Sequence, residues 1–117
     1  MALKVVTIGG GSGHYEFLCA LRRLAGLDIS AIVSMADDGQ SSGELRDRYG
    51  GLPPGDLLQC LTALTTLPRA VVRHILRTRM TRGALAGHNL GNLVLTFAAQ
   101  NGGSFLDAVR ELQDILQ

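Results

Sequence analysis

Tryptophan is absent from this 117-residue chain, aromatic residues make up 4% of it, and it holds only two cysteines and three prolines. Cys19 and Cys60 form no Cys-x-x-Cys pair, which argues against a zinc knuckle or a disulfide scaffold. Each sits among apolar neighbours and reads as a reduced structural thiol. With so few aromatics the chain lacks the stacking platforms on which single-stranded nucleic acid is held. Its formal net charge of +1 supplies no bulk attraction to nucleic acid or to a membrane surface. No apolar run approaches the roughly 18 residues of a membrane span. Met1-Ala2-Leu3-Lys4 opens straight into a strand, without the charged start and apolar core of a signal peptide. A cytoplasmic chain, forming one domain or part of one, is the expectation.

Glycine is plentiful, fifteen in all, and four of them fall in Gly9-Gly10-Gly11-Ser12-Gly13. That run follows the apolar residues Val5, Val6, Thr7 and Ile8, and a helical pattern begins near His14. A strand, a tight glycine loop and a helix N-terminus together make an anion site. The amides point inward, the helix end is partly positive, and glycine lets the backbone approach a phosphate. A phosphorylated ligand, most simply a nucleotide, is expected on Gly10, Gly11, Ser12 and Gly13. The loop is not a Walker loop, because no lysine follows. It also departs from the dinucleotide fingerprint Gly-x-Gly-x-x-Gly: counted from Gly9 the third glycine position is His14, and counted from Gly11 it is Glu16.

Lys4 to Ile8 reads as a short buried parallel strand. Phe17, Leu18, Leu21 and Leu24 recur at helical spacing, with Gly26 as the expected C-cap. Ile29 to Ser34 is a second strand, so the opening is a right-handed βαβ unit. Met35 to Pro54 carries no periodic apolar pattern and reads as a long functional loop. Helices are then expected from Pro54 (Leu57, Leu58, Leu61 and Leu64 inward), from Arg69 to Met80 (Val72, Ile75, Leu76 and Met80 inward) and from Leu90 to about Asn101 (Leu90, Leu93, Val94 and Phe97 inward). A last helix is capped by Ser104, with Leu106, Val109, Leu112, Ile115 and Leu116 as its stripe. The fold class is α/β: a Rossmann-like βαβ start of a parallel sheet followed by several helices. Two strands leave an unpaired sheet edge. The expectation is that residues 1–117 form the N-terminal portion of one nucleotide-binding domain, or that the edge pairs with another chain, including a second copy.

After the second strand comes Asp37-Asp38-Gly39-Gln40-Ser41-Ser42-Gly43. Ligands of open α/β sheets sit beyond the carboxyl ends of the strands, so this loop and the glycine loop share a crevice. Asp37 and Asp38 can accept from a sugar hydroxyl or hold a hard cation such as Mg²⁺. Ser41 and Ser42 can donate to phosphate; turn and cap chemistry explains the same residues without a ligand. Asp56 reads first as a favourable charge at a helix start, and otherwise as a ligand at the crevice mouth. His88 and Asn89 open a helix as cap or ligand contact. Arg69, Arg73 and Arg77 form a basic stripe that reads as a solvated face.

Four blocks in this order, Gly9–Gly13, Ala36–Gly43, Leu52–Asp56 and Gly87–Leu93, resemble the YvcK-type gluconeogenesis factors of the superfamily that includes CofD, the 2-phospho-L-lactate transferase. The resemblance implies a Rossmann-like domain binding a nucleotide or nucleotide-sugar, a UDP-sugar in the YvcK branch, with a regulatory role in carbon metabolism, cell-wall synthesis and cell shape. It implies that Gly10, Gly11, Ser12 and Gly13 cradle a diphosphate, that Asp37 and Asp38 meet a sugar hydroxyl or cation, and that His88 and Asn89 close the far side. The CofD branch implies instead an Mg²⁺-dependent phospholactyl transferase. A NAD-binding protein is a third expectation, weakened by the missing third glycine. Ser12, Gln40 and Asn89 depart from the usual threonine, glycine and serine.

Overall fold

The computed structural model describes residues 1–37, 39–101 and 103–117. Strand β1 (Leu3–Gly9) is followed by helix α1 (Gly11–Leu21) and strand β2 (Leu27–Val33), and the two strands pair in parallel from Leu3 opposite Leu27 to Gly9 opposite Val33. Five helices follow among the described residues: α2 (Gln40–Tyr49), α3 (Gly55–Leu64), α4 (Arg69–Arg77), α5 (Leu90–Asn101) and α6 (Phe105–Leu116). The βαβ opening and the helical remainder are as expected. No helix here is long and apolar enough to cross a membrane.

One face of the sheet is covered. Ile29, Ala31 and Val33 pack against Tyr15, Leu18 and Cys19 of α1 and Cys60 and Ala63 of α3. Both cysteines are free and buried, as expected. On the opposite face Val6, Ile8 and Ile32 are exposed, so the strand expected to be buried throughout is buried on one side. The second core joins α3 to α6 through Leu58, Val72, Leu95, Ala108, Leu112 and Leu116.

Several expectations of local structure are corrected. Helix α1 starts within the glycine loop rather than at His14 and ends at Leu21; Gly26, at φ +75°, turns the chain into β2 and accepts the Leu3 amide at 2.8 Å. The stretch expected as pure loop holds α2, whose one buried aliphatic side chain is Leu45. Its inward contacts are made by serines, which leave no apolar period to read. Helix α4 stops at Arg77, and Ile75 and Met80 are exposed. Beyond Thr78 the backbone is extended, and Met80 exchanges hydrogen bonds with the segment ahead of α5, donating to the His88 carbonyl and accepting from the Gly87 amide, both at 2.8 Å. That pairing brings His88 and Asn89 back towards α2.

Helix α5 is rotated relative to its leucine stripe: Leu90, Val94 and Phe97 are exposed, while Gly91, Asn92 and Leu95 are buried. Leu106 and Ile115 of α6 are likewise exposed. Gly91 explains the rotation of α5, because a Cβ there would lie 2.5 and 2.6 Å from the two Leu58 methyls. Gly91→Ala is therefore expected to destabilise the chain by about 1–3 kcal/mol through overpacking, measured by urea denaturation.

Candidate functional site

The glycine loop and the acidic loop meet at the N-terminus of α3. Gly10 is extended (φ −165°, ψ 173°) and Gly11 takes φ +72°, the left-handed region that favours glycine. The backbone at Gly11 lies near the Asp56 carboxylate and favours its charged form. Asp56 Oδ2 lies so close to the loop that a Cβ on Gly10 would be 2.6 Å from it. An anionic oxygen therefore already stands against the loop. Ser12 and Gly13 lie exposed on the first turn of α1.

Asp37 accepts the Gly39 amide at 2.8 Å, an Asx turn that orients its carboxylate. Gly55 must be glycine, since a Cβ would overlap the Asp37 carboxylate and the Ser42 hydroxyl. The Gly55 amide donates to Ser42 Oγ at 3.0 Å, tying the acidic loop to α3. Asp38 lies outside the described residues. Among those that are described, no group of three or more His, Cys, Asp and Glu is placed to hold a metal ion. The Asp37 and Asp56 carboxylates do line one cavity and repel one another, and two carboxylates supplemented by ligand phosphate and water suit Mg²⁺.

Burial raises the pKa of Asp56 above its ordinary 3.8, and the Asp37 carboxylate raises it further; the Gly11 amide and His14 work against the rise. A carboxyl whose folded pKa is raised binds more protons folded than unfolded. Its contribution to stability therefore falls as pH climbs through the interval above 3.8. Asp56→Asn should flatten the decline of melting temperature with rising pH over that interval, followed by calorimetry from pH 3.5 to 7.

Behind the glycine loop, His14 replaces the third glycine of a dinucleotide fingerprint. Its ring packs against Gly9, where a Cβ would be 3.1 Å from His14 Cγ. The close approach is thus retained with the glycine on the strand instead of the helix. His14 Nε2 lies 2.8 Å from Thr7 Oγ1 and Nδ1 lies 3.6 Å from Cys60 Sγ. Burial, with the Asp56 charge adding to it, pushes the Cys60 thiol up to about 11, so it stays protonated and donates to Nδ1.

A second buried network joins α2 to α5. Ser41 Oγ lies 2.8 Å from His88 Nδ1, and His88 Nε2 lies 3.3 Å from Glu44 Oε2. The Asn92 side-chain amide donates to Ser41 Oγ at 3.2 Å. Glu44 only accepts, so the imidazole carries its hydrogen on Nε2, and Ser41 donates to Nδ1. Asn89 caps α5 through its Oδ1, which accepts the Asn92 amide at 2.8 Å. His88 and Asn89 thus have structural partners, and Asn89 also faces a polar cavity of about 230 Å³. Asp37, Ser41, Ser42 and Asp56 line the same cavity.

A family model described as 2-phospho-L-lactate transferase CofD matches residues 5–117. The chain belongs to the CofD family. The gluconeogenesis factor of Listeria innocua is 40% identical over 114 residues, covering 97% of this chain and 35% of that protein. That of Listeria monocytogenes is 39% identical over the same length and with the same coverage. The crystal structure of protein BH3568 from Bacillus halodurans superposes with a TM-score of 0.87 at 36% identity, covering 97% of this chain and 36% of that one. The chain spans about a third of the length of the relatives it matches.

In this CofD-family chain the cavity is also lined by Gln59, Arg77, Arg79 and Asn92, none of them assigned to the site from the sequence. Gln59 lies one turn beyond Asp56, and Asn92 one turn into the helix that Asn89 caps; helical spacing from those two residues would have found both. Arg77 had no such signal. It belongs to the stripe read as solvated, yet its guanidinium stacks on the Tyr15 ring at 4.5 Å. Arg79 donates to the Gly87 carbonyl at 2.6 Å, which holds the segment bearing His88 in place.

Proposed function

We propose that this chain is a nucleotide-sugar-binding module of the gluconeogenesis-factor type, taking a UDP-sugar and acting in the control of carbon metabolism and cell shape. The observation that carries the reading is the Asp56 carboxylate lying against the glycine loop, with Oδ2 only 2.6 Å from where a Cβ on Gly10 would stand: an anionic oxygen already sits at the N-terminus of α1, where a ligand phosphate would be received. Gly10, Gly11, Ser12 and Gly13 would hold the diphosphate. Asp37, Ser41 and Ser42 lie beside it, and Asn89 lines the cavity beyond; His88 acts through Ser41, holding its hydroxyl in place. The relatives named as gluconeogenesis factors support the gluconeogenesis-factor part of this reading.

A second reading, an Mg²⁺-dependent transferase of the CofD type, is favoured by the carboxylates of Asp37 and Asp56 lining one cavity. In that reading the two residues hold the cation against the ligand phosphate, and the cation neutralises the charge that would otherwise repel it. The exposed sheet face at Val6, Ile8 and Ile32 further supports self-association, for which light scattering should return a dimer mass.

Thermal-shift titrations with UDP-N-acetylglucosamine, GDP and NAD, each with and without Mg²⁺, test these readings. At a hundredfold excess over its dissociation constant a ligand adds about 2.7 kcal/mol to stability. A shift with the UDP-sugar that does not need Mg²⁺ is the expected result. A shift confined to GDP with Mg²⁺ would replace the regulatory reading with the transferase, and a shift with NAD alone would replace both.

A further inference from the structure

Three side-chain atoms are buried without a hydrogen-bond partner among the described residues: Gln59 Oε1, Arg77 Nη1 and Asn92 Oδ1. They come from α3, α4 and α5, and all three residues line the one 230 Å³ polar cavity. Unpartnered buried polar groups are rare because each loses its water without compensation. Three converging on one cavity describe a binding site prepared for an occupant.

The chemistry of the three atoms defines that occupant. Arg77 Nη1 needs an acceptor. Asn92 Oδ1 needs a donor, and its orientation is set by its own amide, which donates to Ser41; Asn92 is 1% exposed. Gln59 Oε1 needs a donor as well. A phosphate offers acceptors only and would face two amide oxygens as well as the Asp37 and Asp56 carboxylates. Those carboxylates are balanced by Arg77 and Arg79, so the described lining residues offer no net positive charge to attract an anion. Hydroxyl groups donate and accept at once, and Leu58, also in the lining, offers an apolar surface for ring C–H groups. The volume is about that of seven or eight waters, room for a single ring and not for a nucleoside.

We infer that this cavity is a sugar subsite, taking one neutral polyhydroxylated ring, with Arg77 donating to a ring oxygen or hydroxyl and Gln59 and Asn92 accepting from hydroxyls. The inference rests on the nucleotide-sugar reading for the rest of the ligand, whose phosphates would lie on the far side of Asp56. The cation–π contact with Tyr15 presents the Arg77 guanidinium to the cavity in a fixed plane.

Titration calorimetry of the chain and of its Gln59→Leu and Arg77→Met variants with UDP, UDP-N-acetylglucosamine and N-acetylglucosamine 1-phosphate tests it. The parent should bind the UDP-sugar at least about tenfold more tightly than UDP, a difference of ~1.4 kcal/mol. Both variants should lose that preference and keep their UDP affinity. Gln59→Leu should also melt higher than the parent when free, because it removes an unpartnered buried group that a merely structural residue would not leave unpaired. Equal affinity for UDP and UDP-sugar in the parent overturns the subsite and leaves the nucleotide reading standing. Binding of the sugar phosphate, lost in both variants, without binding of UDP supports the subsite and overturns the nucleotide reading. An Arg77→Met variant that weakens UDP as much as the UDP-sugar places phosphate at Arg77 and overturns the subsite. So does an unchanged preference in both variants, and binding of none of the three compounds overturns both readings.

Discussion

Gly10→Val is expected to lower affinity for a nucleotide by roughly a hundredfold or more, about 2.7 kcal/mol. The cause is steric and not conformational. At φ −165° any residue can adopt the Gly10 backbone, but the added Cβ would stand 2.6 Å from Asp56 Oδ2 and 3.1 Å from Ser34 Cβ. Asp56 must swing away, and the side-chain bulk then fills the space into which the loop amides point. Gly11→Val should act by a different route. A Cβ there meets nothing within 4 Å, but φ +72° disfavours a β-branched residue, at a cost of about 1–3 kcal/mol in stability, and relief of that strain reshapes the loop. Gly13→Ala is the control: it has open space around its Cβ and should leave the fold intact. Calorimetric titration beside a melting curve for each variant separates the two routes. Undiminished binding in Gly10→Val would remove the phosphate-loop assignment altogether.

Leu58→Ala is expected to produce the largest loss of stability, about 2–5 kcal/mol. Leu58 is 1% exposed and lies at the centre of the core that joins α3 to α4, α5 and α6. Its methyls fill the hollow left by Gly91, and relaxation cannot close that hollow without bringing α5 nearer to α3. A domain of this size has only about 5–15 kcal/mol of stability in total, so the variant should be partly unfolded at 37 °C. Because Leu58 also lines the polar cavity, any folded fraction should bind a sugar-bearing ligand more weakly. Chemical denaturation of parent and variant measures the first effect directly. A loss below about 1 kcal/mol would show that the helices repack freely.

The βαβ opening was legible because its signals are local: β-branched runs, a glycine loop between them, and a helix started by that loop. The capping of α6 by Ser104, which accepts the Asp107 amide at 3.1 Å, was legible for the same reason. Helix α2 was not. Its inward residues are Ser41, Ser42 and Leu45, and a helix held by buried hydroxyls leaves no apolar period. The inward faces of α4, α5 and α6 were misread where leucines, isoleucines and phenylalanine lie exposed, as at Ile75, Phe97 and Ile115. Periodicity ranks residues by hydrophobicity, whereas packing selects by shape, so that Gly91 faces inward and Phe97 outward.

Local order along the chain by itself determined that a glycine loop opens a helix behind a parallel strand and that an acidic loop leaves the sheet from the same edge. Strand geometry forces both to the carboxyl ends of neighbouring strands. Only the tertiary structure decided what stands in that crevice. Asp56 comes against the glycine loop because α3 packs under the sheet. Arg77, Gln59 and Asn92 converge because α3, α4 and α5 share the core around Leu58. Convergence of side chains from separate helices depends on packing distances and helix rotations, which no spacing along one segment encodes.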